Sequence, residues 1–148
     1  MALGFYDVYV LSPKRSAEMI DRFLGRFAPV REESADEYCV PRFSDTPEHL
    51  FRRASELIDF CVIHPREPQG IYWRSVAARD PAHAMAFFTT DAALILGLSV
   101  SADSDRWLAK LLAFTSAEVG LVLFEDPPPD TAAEFRALAH KSVRSEPW

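Results

Sequence analysis

The segment Met85–Val100, MAFFTTDAALILGLSV, constrains the fold more than any other part of the chain. Two apolar runs are separated by Thr89, Thr90 and Asp91, a polar stretch suited to a turn. Successive side chains of an extended strand point to opposite faces. Leu94, Leu96, Leu98 and Val100 therefore share one face, and Ala93, Ile95, Gly97 and Ser99 share the other. Neither set carries a charge, so the run predicts an interior strand buried on both sides. In the preceding run Met85, Phe87 and Thr89 alternate with Ala84, Ala86 and Phe88, and the two runs together predict a hairpin. This signal is structural and names no chemistry.

The flanking sequence supplies partners for that hairpin. Phe5–Leu11 is rich in aromatic and β-branched residues and predicts a first strand. Ser12-Pro13 reads as a cap and a first-turn proline, and Ala17, Ile20, Phe23, Leu24 and Phe27 extend a helix over 13–27. Glu32, Glu33, Asp36 and Glu37 fall in a polar stretch that predicts a solvated loop or, functionally, an acidic binding surface. Tyr38-Cys39-Val40 is a brief extended piece that Pro41 confines to a sheet edge or a loop. Thr46-Pro47 predicts a second cap, with Leu50, Phe51, Ala54, Leu57, Ile58 and Cys61 as the buried stripe of a helix ending near Ile63.

Ile71–Ala77 predicts a strand with aromatic residues on both faces, so that the runs from 71 to 100 form an antiparallel meander. Trp107, Leu108, Leu111, Leu112 and Phe114 mark a third helix. Val119–Phe124 is almost wholly apolar and predicts an interior strand, parallel to 93–100 through a right-handed crossover. Thr131 and Glu134 are spaced as a capping box for a last helix anchored by Phe135 and Leu138. From Lys141 the tail is expected to fray, with Trp148 free to dock. The pattern predicts one α+β domain over 1–148: a mostly antiparallel sheet of about five strands with helices packed on it.

The charge of −6 speaks against a nucleic-acid partner, and the thirteen Arg and three Lys form no block. The longest uncharged stretch, Ala92–Ala102, is far short of the ~18–20 residues a membrane span needs. No basic leader precedes the first apolar run, so a cytoplasmic protein with reduced thiols is expected. Cys39 and Cys61 are too far apart in sequence for a zinc knuckle and read as small apolar residues.

Catalytic spacing is missing throughout. His49, His64, His83 and His140 lie in separate elements without the i, i+4 pairing of a metalloprotease helix. Phosphate-binding glycine loops and nucleophile elbows are likewise missing. No catalytic residue, metal or cofactor is therefore assigned. Three features can serve binding. Glu125-Asp126 follows a predicted strand, where ligands often sit in open sheets. Tyr72-Trp73-Arg74 combines the residue types of interface hot spots, although one face of that strand must be core. Asp91 stands at the hairpin tip and reads as a turn former.

An acidic α+β chain of this size carrying GIYWRS, HAMAFFTTDAALILGLSV and VGLVLFEDPPP resembles the small immunity proteins of bacterial toxin–immunity systems. The resemblance lies in size, charge and element order and transfers no functional residue. It implies a non-enzymatic inhibitor that occludes a partner protein, a basic toxin, through an acidic patch. One rival is a small enzyme or ligand-binding protein that uses Glu125, Asp126 or His83 in a pocket. Another is a structural homodimer that buries the aromatic strand.

Overall fold

A computed structural model describes residues 4–144. Its centre is a six-stranded, wholly antiparallel sheet. Strand β1 is Tyr6–Leu11, β2 Arg31–Glu33, β5 Gln69–Ser75, β6 His83–Phe88, β7 Leu94–Val100 and β8 Gly120–Phe124, in spatial order β2-β5-β6-β7-β1-β8. The strands β3 (Tyr38–Val40) and β4 (His49–Phe51) make a separate two-stranded ribbon. Four helices complete the chain: α1 Ala17–Phe27, α2 Ala54–Ile63, α3 Ser104–Thr115 and α4 Ala132–Arg144. The α+β class and the meander β5-β6-β7 are as the sequence predicts.

Every residue of β7 is buried, because both faces of the sheet centre are covered. On one face Leu94, Leu96, Leu98 and Val100 join Val8, Val10, Ile71, Trp73, Ala84, Ala86 and Phe88 beneath α1, α2 and α3. On the other, Tyr9, Leu11, Ile95 and Leu121 pack against Phe135 and Ala139 of α4. The faces follow from the pairing, in which Val8 and Ala84 flank Leu98 while Tyr9 and Met85 flank Gly97. A side chain on Gly97 would collide with the Tyr9 ring at 2.5 Å, so this glycine lets the ring lie across β7.

Several boundaries differ from expectation. Helix α1 begins at Ala17, capped by Ser16, whose Oγ accepts from Met19 N at 3.1 Å. Ser12, the expected cap, instead bonds Lys14 on both its N–H and its carbonyl. The acidic stretch is no free loop: Arg31–Glu33 is an edge strand in register with Trp73–Ser75 of β5. Residues 49–51, expected as the first turn of a helix, pair with β3, and Leu50 is exposed. The helix starts only at Ala54, and no side chain of its own N-cap residue satisfies its first turn. Glu33 does so from across the chain, accepting from Ala54 N at 2.9 Å and from Tyr38 Oη at 2.9 Å.

Strand β8 is an edge strand and not the interior one its apolar composition suggested. Both β7 and β8 run antiparallel to β1, so they share a direction as expected, but β1 lies between them. Helix α4 continues to Arg144 past the expected fraying point, and Trp148 lies outside the described residues. Its cap is shared. Thr131 Oγ1 accepts from Glu134 N at 3.0 Å, and Asp91 of the β6–β7 turn accepts from Ala132 N and Ala133 N at 2.8 and 3.2 Å. Asp91 is thus more than a turn former; it pins α4 to the hairpin tip.

A second long-range tether is Arg15. Its guanidinium donates to the carbonyls of Thr89, Ala93, Cys61 and His64 and lies 4.8 Å from the Phe88 ring centre. One partly buried cation therefore joins the start of α1, the hairpin and the C-terminal end of α2, where carbonyls carry partial negative charge. Cys61 lies in the same core, and burial pushes its thiol up to about 12, which makes it an inert packing group. Cys39 is half-buried.

Candidate functional site

Helix α4 covers only part of its face of the sheet. It is fixed to the hairpin tip and packs on Leu11, Ile95 and Leu121, which leaves the β5–β6 side open. Across the open face the strands place residues in rows. One row reads Glu32, Arg74, His83, Ser99, Asp7, Leu123, from β2 through β5, β6, β7 and β1 to β8. The next contains Tyr72, Met85, Gly97, Tyr9 and Leu121. The polar row lies outside the cluster that packs on α4, and an unpartnered polar group beneath a helix is costly.

The chain leaving β8 folds back over this face. Glu125 takes a left-handed conformation at φ 53°, uncommon for a residue with a side chain, and its carboxylate accepts from Phe5 N at 3.1 Å. Tyr9 Oη donates to the Asp126 carbonyl at 2.7 Å and fastens the crossing chain to the sheet centre. Between them lies a cavity of about 290 Å³ lined by Phe5, Asp7, Tyr72, His83, Glu125 and Asp126, with Tyr9, Met85, Ser99 and Pro127.

Asp7 is 7 % exposed, and its Oδ1 accepts from Ser99 Oγ at 2.8 Å. Burial raises its carboxyl above the ordinary range and the nearby Glu125 adds to this, while the Ser99 hydroxyl, the Asp126 backbone and His83 oppose it. Burial likewise raises the phenols of Tyr9 and Tyr72. His83 meets the Phe5 ring edge to face at 6.2 Å, and no ion pair joins it to Asp7 among the described residues.

Two further grooves adjoin the cavity at Tyr72. One, of about 570 Å³, lies between the Pro127–Pro129 run and Phe87, Gly70, Arg42 and Phe43. The other, of about 440 Å³, is lined by Ala35, Glu37, Cys39, Phe43 and Gly70. A Cβ on Gly70 would press on the Phe87 ring at 3.0 Å, so the bare glycine keeps that wall open. Phe43 stands at the lip of both grooves, 90 % exposed and at φ 62°. Arg42 beside it pairs with Asp130 at 3.1 Å and so braces the 41–48 loop against the proline run.

The residues marked by the sequence divide accordingly. Tyr72, Glu125 and Asp126 come together at the cavity, and His83 joins them. Arg74 and Glu32 pair with each other at the sheet edge. Trp73 points into the helical core and is 3 % exposed. Glu33 is a structural acceptor that caps α2. Asp36 and Glu37 are exposed in the following loop, with Glu37 on the 440 Å³ groove. Asp7, Phe5, Phe43 and Phe87 were not marked. Asp7 carried one signal: a lone acid in an otherwise apolar alternating strand, at a position that proves to be buried.

Among the described residues no group of three or more His, Cys, Asp or Glu side chains is placed to hold a metal ion, and no helix is long and apolar enough to cross a membrane. No protein-family model, curated protein or solved structure matches the chain.

Proposed function

We propose that this chain is a protein-binding module, an immunity-type inhibitor that seats a basic partner on the open half of its sheet. The observation that supports this reading is the composition of that face. Tyr72, Phe87, Phe43 and Phe5 offer aromatic surface beside grooves whose margins carry Glu37, Glu125, Asp126 and Glu134. Of the bases lining the same grooves, Arg42 is already paired with Asp130. Aromatic anchors with a charged rim are the anatomy of a specific interface, in which the anchors supply affinity and the rim steers encounter. The negative net charge acts in the same direction.

A second reading has its own support. Asp7, Ser99, His83, Glu125 and Asp126 converge on one cavity, which suits a small-molecule site and would admit acid–base chemistry. Against catalysis stands the geometry, since the histidine has no hydrogen-bonded acid among the described residues to set its tautomer.

The experiment is capture of the partner from the native cell, then binary binding with the purified partner at two ionic strengths. Tyr72→Ala is expected to weaken binding about tenfold or more, the scale of a hot-spot residue. A Glu125→Gln, Asp126→Asn double change is expected to slow association, with the effect shrinking at high salt. Unchanged affinity and rate in both variants would remove this face from the interface.

A further inference from the structure

We infer that the cavity between Phe5, Asp7, Tyr72, His83 and Glu125 is a receptor for one guanidinium group, an arginine side chain of the bound protein. The inference rests on the docking reading and names the chemistry at the centre of that surface. Asp7 carries the argument. It is more than nine-tenths buried, lines the cavity, and has no cation within ion-pair distance among the described residues. Its hydrogen-bond partners, the Ser99 hydroxyl and the Asp126 backbone, are neutral, whereas a buried carboxylate is ordinarily compensated by a cation.

Among the described residues, the cation next along this row is otherwise engaged. Arg74 neighbours His83 in the same row, yet its guanidinium is turned outward to Glu32. Among the described residues no Lys or Arg lines the cavity, whereas Glu125 and Asp126 add acid beside Asp7. The rest of the wall is largely aromatic, with Phe5, Tyr9, Tyr72 and the His83 ring beside Met85 and Pro127.

That lining matches a guanidinium better than other cations. Among the described residues these carboxylates form no group placed to hold a metal ion. A volume of about 290 Å³ lies at the low end of the ~300–1,000 Å³ of small-molecule sites and admits one large side chain. A guanidinium presents a flat face to aromatic rings and a donor fork to carboxylates, while an ammonium is a compact and strongly hydrated charge.

The receptor is also held in place before anything binds. Ser99 fixes Asp7, Phe5 N fixes Glu125, and Tyr9 fixes the Asp126 backbone. Walls already ordered in the free protein reduce the entropy lost on binding.

The test uses the intact chain and N-acetyl-arginine-N-methylamide as probe, followed by amide and His83 ring NMR shifts. Saturable shifts at Asp7, Tyr72, His83 and Glu125 are expected in the millimolar range. The uncharged citrulline analogue and the lysine analogue are each expected to bind at least about fivefold more weakly, since both lack the charged fork. Asp7→Asn and, separately, Glu125→Gln are expected to cut arginine affinity about fivefold or more while the fold stays intact. The second variant keeps the test decisive if the first fails to fold. Citrulline or lysine binding as tightly as arginine, or arginine binding unaltered by either substitution, would overturn the assignment. A cavity that refuses arginine in a chain that still binds its partner through Tyr72 sinks this inference alone. Arginine binding in a chain whose partner ignores the Tyr72 face upholds the receptor and sinks the docking reading.

Discussion

The two faces of the sheet are built from the same strands and treated in opposite ways. Beneath α1, α2 and α3 the strands present mainly apolar side chains, from Val8 and Leu98 in the middle to Trp73 near the β2 edge, and the buried Gln69 at the start of β5 is satisfied by donating from its Nε2 to the Cys39 carbonyl. The opposite face has one helix for cover, and beyond its reach the strands carry Asp7, Ser99, His83, Arg74 and Tyr72. The difference shows that helix coverage, and not strand composition alone, decides where a sheet can hold polar groups. A buried strand face with three helices over it has no water to satisfy a carboxylate. On the face with one helix, Arg74 and Tyr72 reach solvent, while the buried Asp7 and Ser99 are satisfied by bonding each other.

The comparison breaks first at the helical face. Leu98→Ala removes a fully buried side chain beneath those helices and is expected to cost roughly 2–5 kcal/mol in denaturant unfolding. A loss below about 0.5 kcal/mol, the scale of surface substitutions, would mean that this face is not the main core.

The link between the faces is Asp91, which holds α4 in place. Asp91→Ala is expected to cost about 1 kcal/mol, the usual cost of a lost helix cap. Burial alone would raise the Asp91 carboxyl, but the N–H groups of Ala132 and Ala133 and the Thr89 hydroxyl hold it below the ordinary value. A depressed carboxyl gives its stability above the unfolded pKa and loses it as pH falls through the folded one. The gap between wild type and Asp91→Ala should therefore be full at neutral pH and close in acid. A gap that persists below the carboxylate range would show that Asp91 acts through packing.

Asp7 sharpens the comparison in the other direction. Its carboxyl is raised in the folded state, so its ionised form opposes folding above the unfolded pKa. Asp7→Asn is expected to raise the melting midpoint at pH 7, with the advantage fading as pH falls through the carboxylate range. A lower midpoint at pH 7 would mean that the Ser99 bond outweighs burial. The smallest effect belongs to the open face itself. Tyr72→Ser is expected to change stability by no more than about 0.5 kcal/mol, since the ring is 41 % exposed. A larger loss would make Tyr72 part of the core and weaken its role as an anchor.

What the sequence by itself determined is the part governed by local periodicity. The 85–100 hairpin, the first strand, the stripes of α1 and the core half of α2, and the meander follow from which residues alternate and which recur every three to four positions. Edge and centre were not legible. Val119–Phe124 reads as an interior strand because its residues are apolar, yet pairing order is a global property that no segment encodes, and it lies at the rim. The start of α2 was misread for a related reason. Its first N–H is satisfied by Glu33, twenty-one residues away, so no local cap marks it. The acidic run likewise looked uniform, but folding assigns Glu33 to a helix end, Glu32 to Arg74, and Asp36 and Glu37 to the surface. The cavity is the clearest case. Its lining comes from β1, β5, β6, β7 and the segment after β8, with Asp7 and Asp126 separated by most of the chain. Register alone brings Asp7, Ser99 and His83 into one row, because hydrogen bonding fixes which residues stand opposite each other across strands far apart in sequence.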